Sequence, residues 1–127
     1  MKLFTSYFAN QRNFPIGSVP IAICAKAPDW FNGPCYKSLA PKYETLMNYK
    51  NGGSWSDYVK DFKETVLSCR NIKYIMTYLE DIVHTQTTED DPIVLLLCYE
   101  KPSDPCHRHL VANWFYDNGV ECTEYGM

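Results

Sequence analysis

The sequence lacks any apolar run long enough to cross a membrane. Its first residues, 1–7, also lack the apolar core of a secretory signal peptide. Internal repeats and low-complexity segments are missing as well. We therefore expect a cytoplasmic protein that does not associate with membranes.

Charged residues are sparse at 21%, and the acidic ones outnumber the basic ones by 15 to 12, which gives a net charge of -3. A general electrostatic grip on nucleic acid needs many lysines and arginines against the phosphates. We therefore expect no general nucleic-acid binding, and any bound anion must be held by a local site. A chain of 127 residues with 46% hydrophobic content suits one folded domain, which we assign to residues 1–127.

Paired CxxC motifs are also absent, although the chain contains six cysteines: Cys24, Cys35, Cys69, Cys98, Cys106 and Cys122. Without an export signal or a loop-rich composition, a disulfide framework is disfavoured, and we interpret all six as thiols. Cys98, Cys106 and His107 are plausible zinc ligands, but their spacing matches no standard zinc finger. The sequence therefore predicts neither a metal nor a cofactor.

Hydrophobic patterns predict strands that alternate with helical stretches. The predicted strands are residues 3–9, 19–25, 93–97 and 120–125, and the predicted helices are residues 42–49, 54–67, 72–83 and 105–118. This order is typical of an α/β fold, and we expect a small three-layer, Rossmann-like domain. Its mainly parallel sheet would have about four strands flanked by helices, with ligands bound outside the carboxyl ends of the strands.

The segment from Asp104 to Leu110 is the strongest candidate for a functional site. It follows the apolar strand by a short loop and gathers a thiol, two imidazoles and a guanidinium at a predicted helix start. Asp104 suits the N-cap and Pro105 the first helical position, which would place Cys106 in the first turn. Unpaired backbone N–H groups give such a turn positive potential, so this corner favours anions.

A helical projection separates the side chains of this segment, because each residue turns about 100° from the last. His107 falls near the centre of the apolar face, Cys106 and Arg108 lie on its two sides, and His109 points nearly opposite, towards water. We predict Cys106 as a nucleophile whose thiolate the helix start favours, with His107 or Glu100 handling protons. The structural alternative is a core histidine and an arginine that pairs with an acid.

Other residues near the predicted strand ends complete the candidate site. The loop at residues 26–41 carries Trp30 and Phe31, and we interpret it as a lid over the strand ends. The equally weighted alternative is that both aromatic residues cap a secondary core. The predicted ligand-binding residues are Arg108, Asn10, Arg12, Lys26, Trp30 and Cys98.

The motifs Cys98-Tyr99-Glu100 and Cys106-His107-Arg108 resemble those of the family catalogued as domain of unknown function 488, DUF488. The resemblance implies a small α/β domain found in bacteria and their viruses, with Glu100 and the Cys-His-Arg triplet as recurrent polar residues. It supplies a site but no reaction. Three functions stay open: an enzyme on a phosphorylated or nucleotide-like small molecule, a non-catalytic nucleotide binder, and an accessory or inhibitor protein that binds another protein.

Overall fold

Four parallel strands form the sheet in a computed structural model that describes residues 1–126. The strands are β1 (Lys2–Tyr7), β2 (Val19–Ala22), β3 (Ile93–Cys98) and β4 (Cys122–Glu124), in the spatial order β2-β3-β1-β4. β3 lies inside the sheet and is buried on both faces, as its continuous apolar run predicts. The parallel α/β fold expected from the sequence is confirmed.

The register brings the carboxyl ends of three strands to one edge. Tyr7 at the end of β1 lies opposite Cys98 at the end of β3, and Ala22 at the end of β2 lies opposite Leu97. Residues that follow β1 and β2 therefore meet residues that follow β3, although more than 70 positions separate them in the chain.

Four α-helices accompany the sheet within residues 1–126: α1 (Tyr43–Lys50), α2 (Trp55–Thr65), α3 (Ile72–Gln86) and α4 (His107–Asp117). Their buried residues, such as Phe62, Leu79 and Phe115, share one core with Val94 and Leu96 of β3. None of the helices within residues 1–126 has the length and apolar character needed to cross a membrane.

A thinner layer covers a second core, which contains Leu95 and Leu97 of β3. Here a 3₁₀ helix, Phe8–Asn13, follows β1 and buries Phe8. The Phe8 ring contacts the rings of Trp30 and Phe31 edge to face, at centroid distances of 6.1 Å and 5.3 Å. The two aromatic residues thus cap a secondary core, which is the alternative to the lid interpretation.

Three predicted strands are longer than the observed ones, because pairing stops where the neighbouring strand ends, whereas β3 extends one residue beyond the predicted 93–97. β4 pairs only three residues with β1, from Leu3 opposite Cys122 to Thr5 opposite Glu124. β2 ends at Ala22. There Cys35 of the long loop forms a parallel bridge with Ala22, on the edge of β2 that does not pair with β3. Hydrogen bonds from the Ala22 N–H to the Pro34 carbonyl and from the Tyr36 N–H to the Ala22 carbonyl hold this loop against the sheet edge.

Candidate functional site

A cavity of about 340 Å³ opens at the carboxyl ends of β2 and β3. The residues after β2 contribute Cys24 and Lys26, and β3 with the residues after it contributes Cys98 and Glu100. The start of α4 closes one side with Pro105, Cys106 and His107. Its volume lies within the range of small-molecule sites, and its position is the usual one for ligands of parallel α/β sheets.

The opposite wall of the cavity is aromatic and comes from α1 and α2. Tyr49, Trp55 and Tyr58 line it, with Trp55 stacked on Tyr58 at a ring-centroid distance of 4.6 Å. Burial raises the pKa of Tyr58, so its hydroxyl stays protonated at neutral pH. Trp55 and Tyr58 recur at helical spacing along the predicted helix 54–67, which is the pattern of residues packed in a core, so this spacing did not indicate the wall. A signal was present in the sequence, because three aromatic residues whose rings carry a polar N–H or O–H group lie within residues 49–58.

Three charged residues line the cavity. Lys26 follows β2, Lys50 ends α1, and Glu100 follows β3, so the lining includes two basic residues and one acidic residue. The Tyr99 hydroxyl donates a hydrogen bond of 2.5 Å to the Lys26 carbonyl, which ties together the loops that carry Lys26 and Glu100. The structure therefore brings the predicted Lys26 and Glu100 to one place.

The start of α4 lies two residues later than the predicted one. Cys106 has extended backbone angles and is the N-cap, and the His109 N–H donates to its carbonyl at 3.1 Å. Asp104 is not the N-cap, because it lies two residues before Cys106, and its N–H closes a separate turn onto the Lys101 carbonyl. Cys106 still lies at the positive end of the helix, as the anion-site hypothesis requires.

The expectation that all six cysteines are thiols is wrong for two of them. Cys98 and Cys106 form a disulfide beside the cavity, so Cys106 attacks as a nucleophile only after reduction. The sequence could not show this, because register and a turn, not spacing, bring the two sulfurs together. The other four remain thiols within residues 1–126, and burial raises the pKa of Cys24 to about 11 and of Cys122 to about 12.

His107 is buried and faces the sheet, as the helical projection predicts. Its Nε2 lies 2.7 Å from the Ile23 carbonyl oxygen, which only accepts hydrogen bonds, so we assign the ring hydrogen to Nε2. The unprotonated Nδ1 then faces the Cys106 Sγ at 3.8 Å. Burial lowers the pKa of His107 to about 4, which keeps the ring neutral at physiological pH.

Arg108 lies fully buried, with 0% of its surface exposed, and outside the cavity lining. Its guanidinium donates two hydrogen bonds of 3.0 Å to the Glu124 carboxylate and one of 2.6 Å to the Glu100 carbonyl. A further N–H lies 3.4 Å from the Cys98 Sγ. The geometry is that of the structural alternative, an arginine paired with an acid, and the hydrogen bonds to Glu124 and Glu100 occupy the guanidinium.

The remaining predicted residues lie away from the cavity lining. Asn10 donates to the Ser6 hydroxyl at 3.2 Å, and Arg12 is exposed on the 3₁₀ helix after β1. Trp30 is 54% exposed and borders a separate cleft with Phe31. His109 is half-buried, and its ring nitrogen lies 3.2 Å from the Asp104 carbonyl.

Comparison with known proteins places the chain in a family. Neither the search of curated proteins nor the search of solved structures finds a match. A family model described as the active DUF488-N3 subclade matches residues 19–119, which include both the Cys98-Tyr99-Glu100 and the Cys106-His107-Arg108 motifs. Because this match covers most of the chain and the whole wall of the cavity, the protein belongs to the DUF488 family.

Proposed function

We propose that the protein is an enzyme that acts on a small, negatively charged, nucleotide-like molecule bound in the cavity at the ends of β2 and β3. The observation that carries this proposal is the composition of that cavity. An aromatic wall faces sulfur, imidazole and carboxylate groups across about 340 Å³. Apolar walls with a few convergent polar groups are typical of small-molecule sites.

The two ends of such a ligand meet complementary surfaces. A planar base gains contact area against the Trp55 and Tyr49 rings, as bases do on aromatic side chains. The phosphate of the proposed ligand lies near the ammonium groups of Lys26 and Lys50 and near the N-terminal end of α4. A cavity of about 340 Å³ is of a size that small-molecule ligands such as a nucleoside monophosphate occupy.

The reacting groups are Glu100, Cys106 and His107, which line the cavity side by side. Glu100 is exposed to the cavity and transfers protons, while its Oε2 lies 3.4 Å from the Cys98 Sγ. Arg108 acts as a positioning residue, because it holds the Glu100 carbonyl and the Cys98 sulfur from behind. The description of the matching subclade as active supports a catalytic role.

A binding and turnover experiment tests this proposal on the reduced protein. Isothermal titration calorimetry with the nucleoside monophosphates measures affinity, and mass spectrometry after incubation detects any product. We expect Lys50→Met to weaken binding about fivefold, the equivalent of about 1 kcal/mol for a solvent-exposed charge contact. Glu100→Gln should keep the affinity and lower turnover by 100-fold or more, about the effect of removing a general acid or base.

The matched control is Lys73→Met, which removes an exposed lysine from α3, away from the cavity. Its affinity and turnover should equal those of the parent protein. Equal weakening by Lys73→Met and Lys50→Met, or full turnover by Glu100→Gln, would contradict the proposed site.

A second candidate, a non-catalytic nucleotide binder, is favoured by the Cys98–Cys106 bond. In the disulfide form, neither sulfur is available as a nucleophile, whereas the aromatic wall and the lysines are unchanged. Nucleotide binding by both the oxidised and the reduced protein, with no product from either, would favour this candidate over the enzyme.

A further inference from the structure

Three potential metal ligands meet at the inner end of the cavity. The sulfur atoms of Cys98 and Cys106 and a ring nitrogen of His107 all lie within 4.8 Å of one another, and all three residues are buried. Thiolate sulfur and imidazole nitrogen are the ligands that zinc and similar thiophilic cations prefer. The two cysteines and the histidine therefore form a compact set of ligands that suits a zinc-like cation.

The orientation of His107 fits metal binding in particular. A histidine that ligates a metal through one nitrogen usually donates the hydrogen of the other to a carbonyl or carboxylate. In His107 the Nε2 hydrogen goes to the Ile23 carbonyl at 2.7 Å, which directs the free Nδ1 towards the sulfurs. The Nδ1 to Cys106 Sγ distance of 3.8 Å is close to the edge of about 3.6 Å that zinc–ligand bond lengths give a tetrahedron.

The backbone around the two cysteines also suits a metal between them. Their Cα atoms are 7.6 Å apart, whereas most disulfides span about 4.4–6.8 Å. Two sulfurs on one zinc ion lie about 3.8 Å apart, which needs a wider backbone separation than a direct bond does. At Cys98 the Arg108 guanidinium, 3.4 Å from the Sγ, offsets the Glu100 carboxylate at the same distance, and Cys106 caps the positive start of α4, which favours its thiolate.

We propose that, after reduction of the Cys98–Cys106 bond, Cys98, Cys106 and His107 bind a thiophilic divalent cation of the Zn²⁺ class. A dithiol transfers two electrons and two protons to the disulfide and itself becomes a disulfide. Metal binding then releases the two thiol protons to solvent and forms two sulfur–metal bonds and one nitrogen–metal bond.

The fourth position of the metal faces the cavity, because all three ligands line it. Three protein ligands with one open position are typical of catalytic zinc rather than of structural zinc. The Glu100 Oε2 lies 3.4 Å from the Cys98 Sγ, so this carboxylate is close to the three ligands. The inference thus deepens the proposed function and rests on the same cavity, and it changes the role of Cys106 from nucleophile to ligand.

The test uses full-length protein that is reduced with a dithiol and then freed of the reductant under anaerobic conditions. Titration with Co²⁺ should give one equivalent bound, with the near-ultraviolet charge-transfer absorption of cobalt–thiolate bonds. Zn²⁺ added in competition should abolish this absorption. Cys98→Ser, Cys106→Ser and His107→Gln should each weaken Zn²⁺ binding by more than about 100-fold, beyond the effect of losing a partner that only orients a ligand.

The matched control is Cys69→Ser, which removes an exposed thiol outside the cavity. Its Zn²⁺ affinity should equal that of the parent, and circular dichroism checks that every variant is folded. An unchanged affinity in Cys106→Ser or His107→Gln, or no binding by the reduced parent at micromolar Zn²⁺, would overturn the metal site. Product formation by chelator-treated protein through an acidic Cys106 thiol would overturn it in favour of the nucleophile.

The metal titration contains no nucleotide, so it can fail independently of the proposed function. If the reduced protein gives no Co²⁺ signal but still binds a nucleotide, the metal site is refuted and the ligand site stands. If it binds the metal but no nucleoside monophosphate, the metal site stands and the proposed ligand is refuted.

Discussion

Replacement of Arg108 by methionine should destabilise the fold, because this side chain joins three elements from inside the protein. The guanidinium is 0% exposed and bonds the carboxylate of Glu124 on β4 and the backbone carbonyl of Glu100 after β3. It also lies over the Tyr7 ring of β1, 5.7 Å from its centroid. Methionine fills much of the same volume but provides none of these hydrogen bonds.

The size of the effect follows from what the substitution leaves behind. Removing one partner of a buried ion pair costs about 3–5 kcal/mol, since the remaining charge loses its compensation. The Glu124 side chain is 12% exposed and keeps a 2.7 Å hydrogen bond from the Thr5 hydroxyl, which places the loss near the lower end of that range. We therefore expect the free energy of unfolding to fall by about 3 kcal/mol, a large part of the 5–15 kcal/mol typical of a domain.

Urea denaturation followed by circular dichroism measures this loss. With a slope of about 2 kcal/mol/M, the midpoint should fall by roughly 1.5 M. Arg12→Met is the matched control, because Arg12 is exposed, and its unfolding free energy should change by no more than about 0.5 kcal/mol. In the double variant with Glu124→Met, the loss should be smaller than the sum of the single losses by about 1–3 kcal/mol. A midpoint for Arg108→Met within 0.3 M of the parent would refute the structural role and restore Arg108 as a candidate anion ligand.

Two further predictions concern pH and helix capping. The pKa of His107 is depressed by burial from 6.5 to about 4, so the unfolded chain takes up a proton first as the pH falls. The contribution of His107 to the free energy of unfolding should be fully present above pH 6.5, and the free energy of unfolding should fall by about 3 kcal/mol between pH 6.5 and 4. His107→Gln should flatten this decline in urea titrations, whereas the exposed His84→Gln should leave it unchanged; equal slopes for parent and His107→Gln would refute the assignment. Asn71 caps α3 by accepting from the Lys73 N–H at 2.9 Å, so Asn71→Ala should lower the free energy of unfolding by about 1 kcal/mol, and a change below 0.3 kcal/mol would contradict the cap.

Local signals were sufficient for the fold class and for most of the elements. The apolar run at residues 93–97 predicts a strand buried on both faces, and Ser54 at the predicted start of α2 accepts from the Asp57 N–H as its N-cap. Element ends were less accurate, because they depend on where a partner strand stops or where a turn takes a backbone N–H. Asp104 illustrates this, since its residue type suits a cap, whereas the turn onto Lys101 delays the start of α4 until Cys106 is the N-cap.

The candidate site was only partly accessible from the sequence. The periodicity of α4 predicts that His107 faces the sheet, because the helix fixes the direction of each side chain from its own position. The partners of His107 and Arg108 were not predictable in this way. Ile23 lies 84 residues from His107, and Glu124 belongs to a strand whose place in the sheet the local pattern does not specify.

The sequence by itself determined the parallel α/β fold, the burial of His107 and the location of the polar cluster after the third strand. These features follow from periodicity and from the order of elements along the chain. Only the tertiary structure decided that Cys98 meets Cys106, that Arg108 is committed to Glu124, and that Trp55 faces a cavity. Each of these depends on contacts between elements whose distance in space is set by strand order and register, which no local pattern encodes.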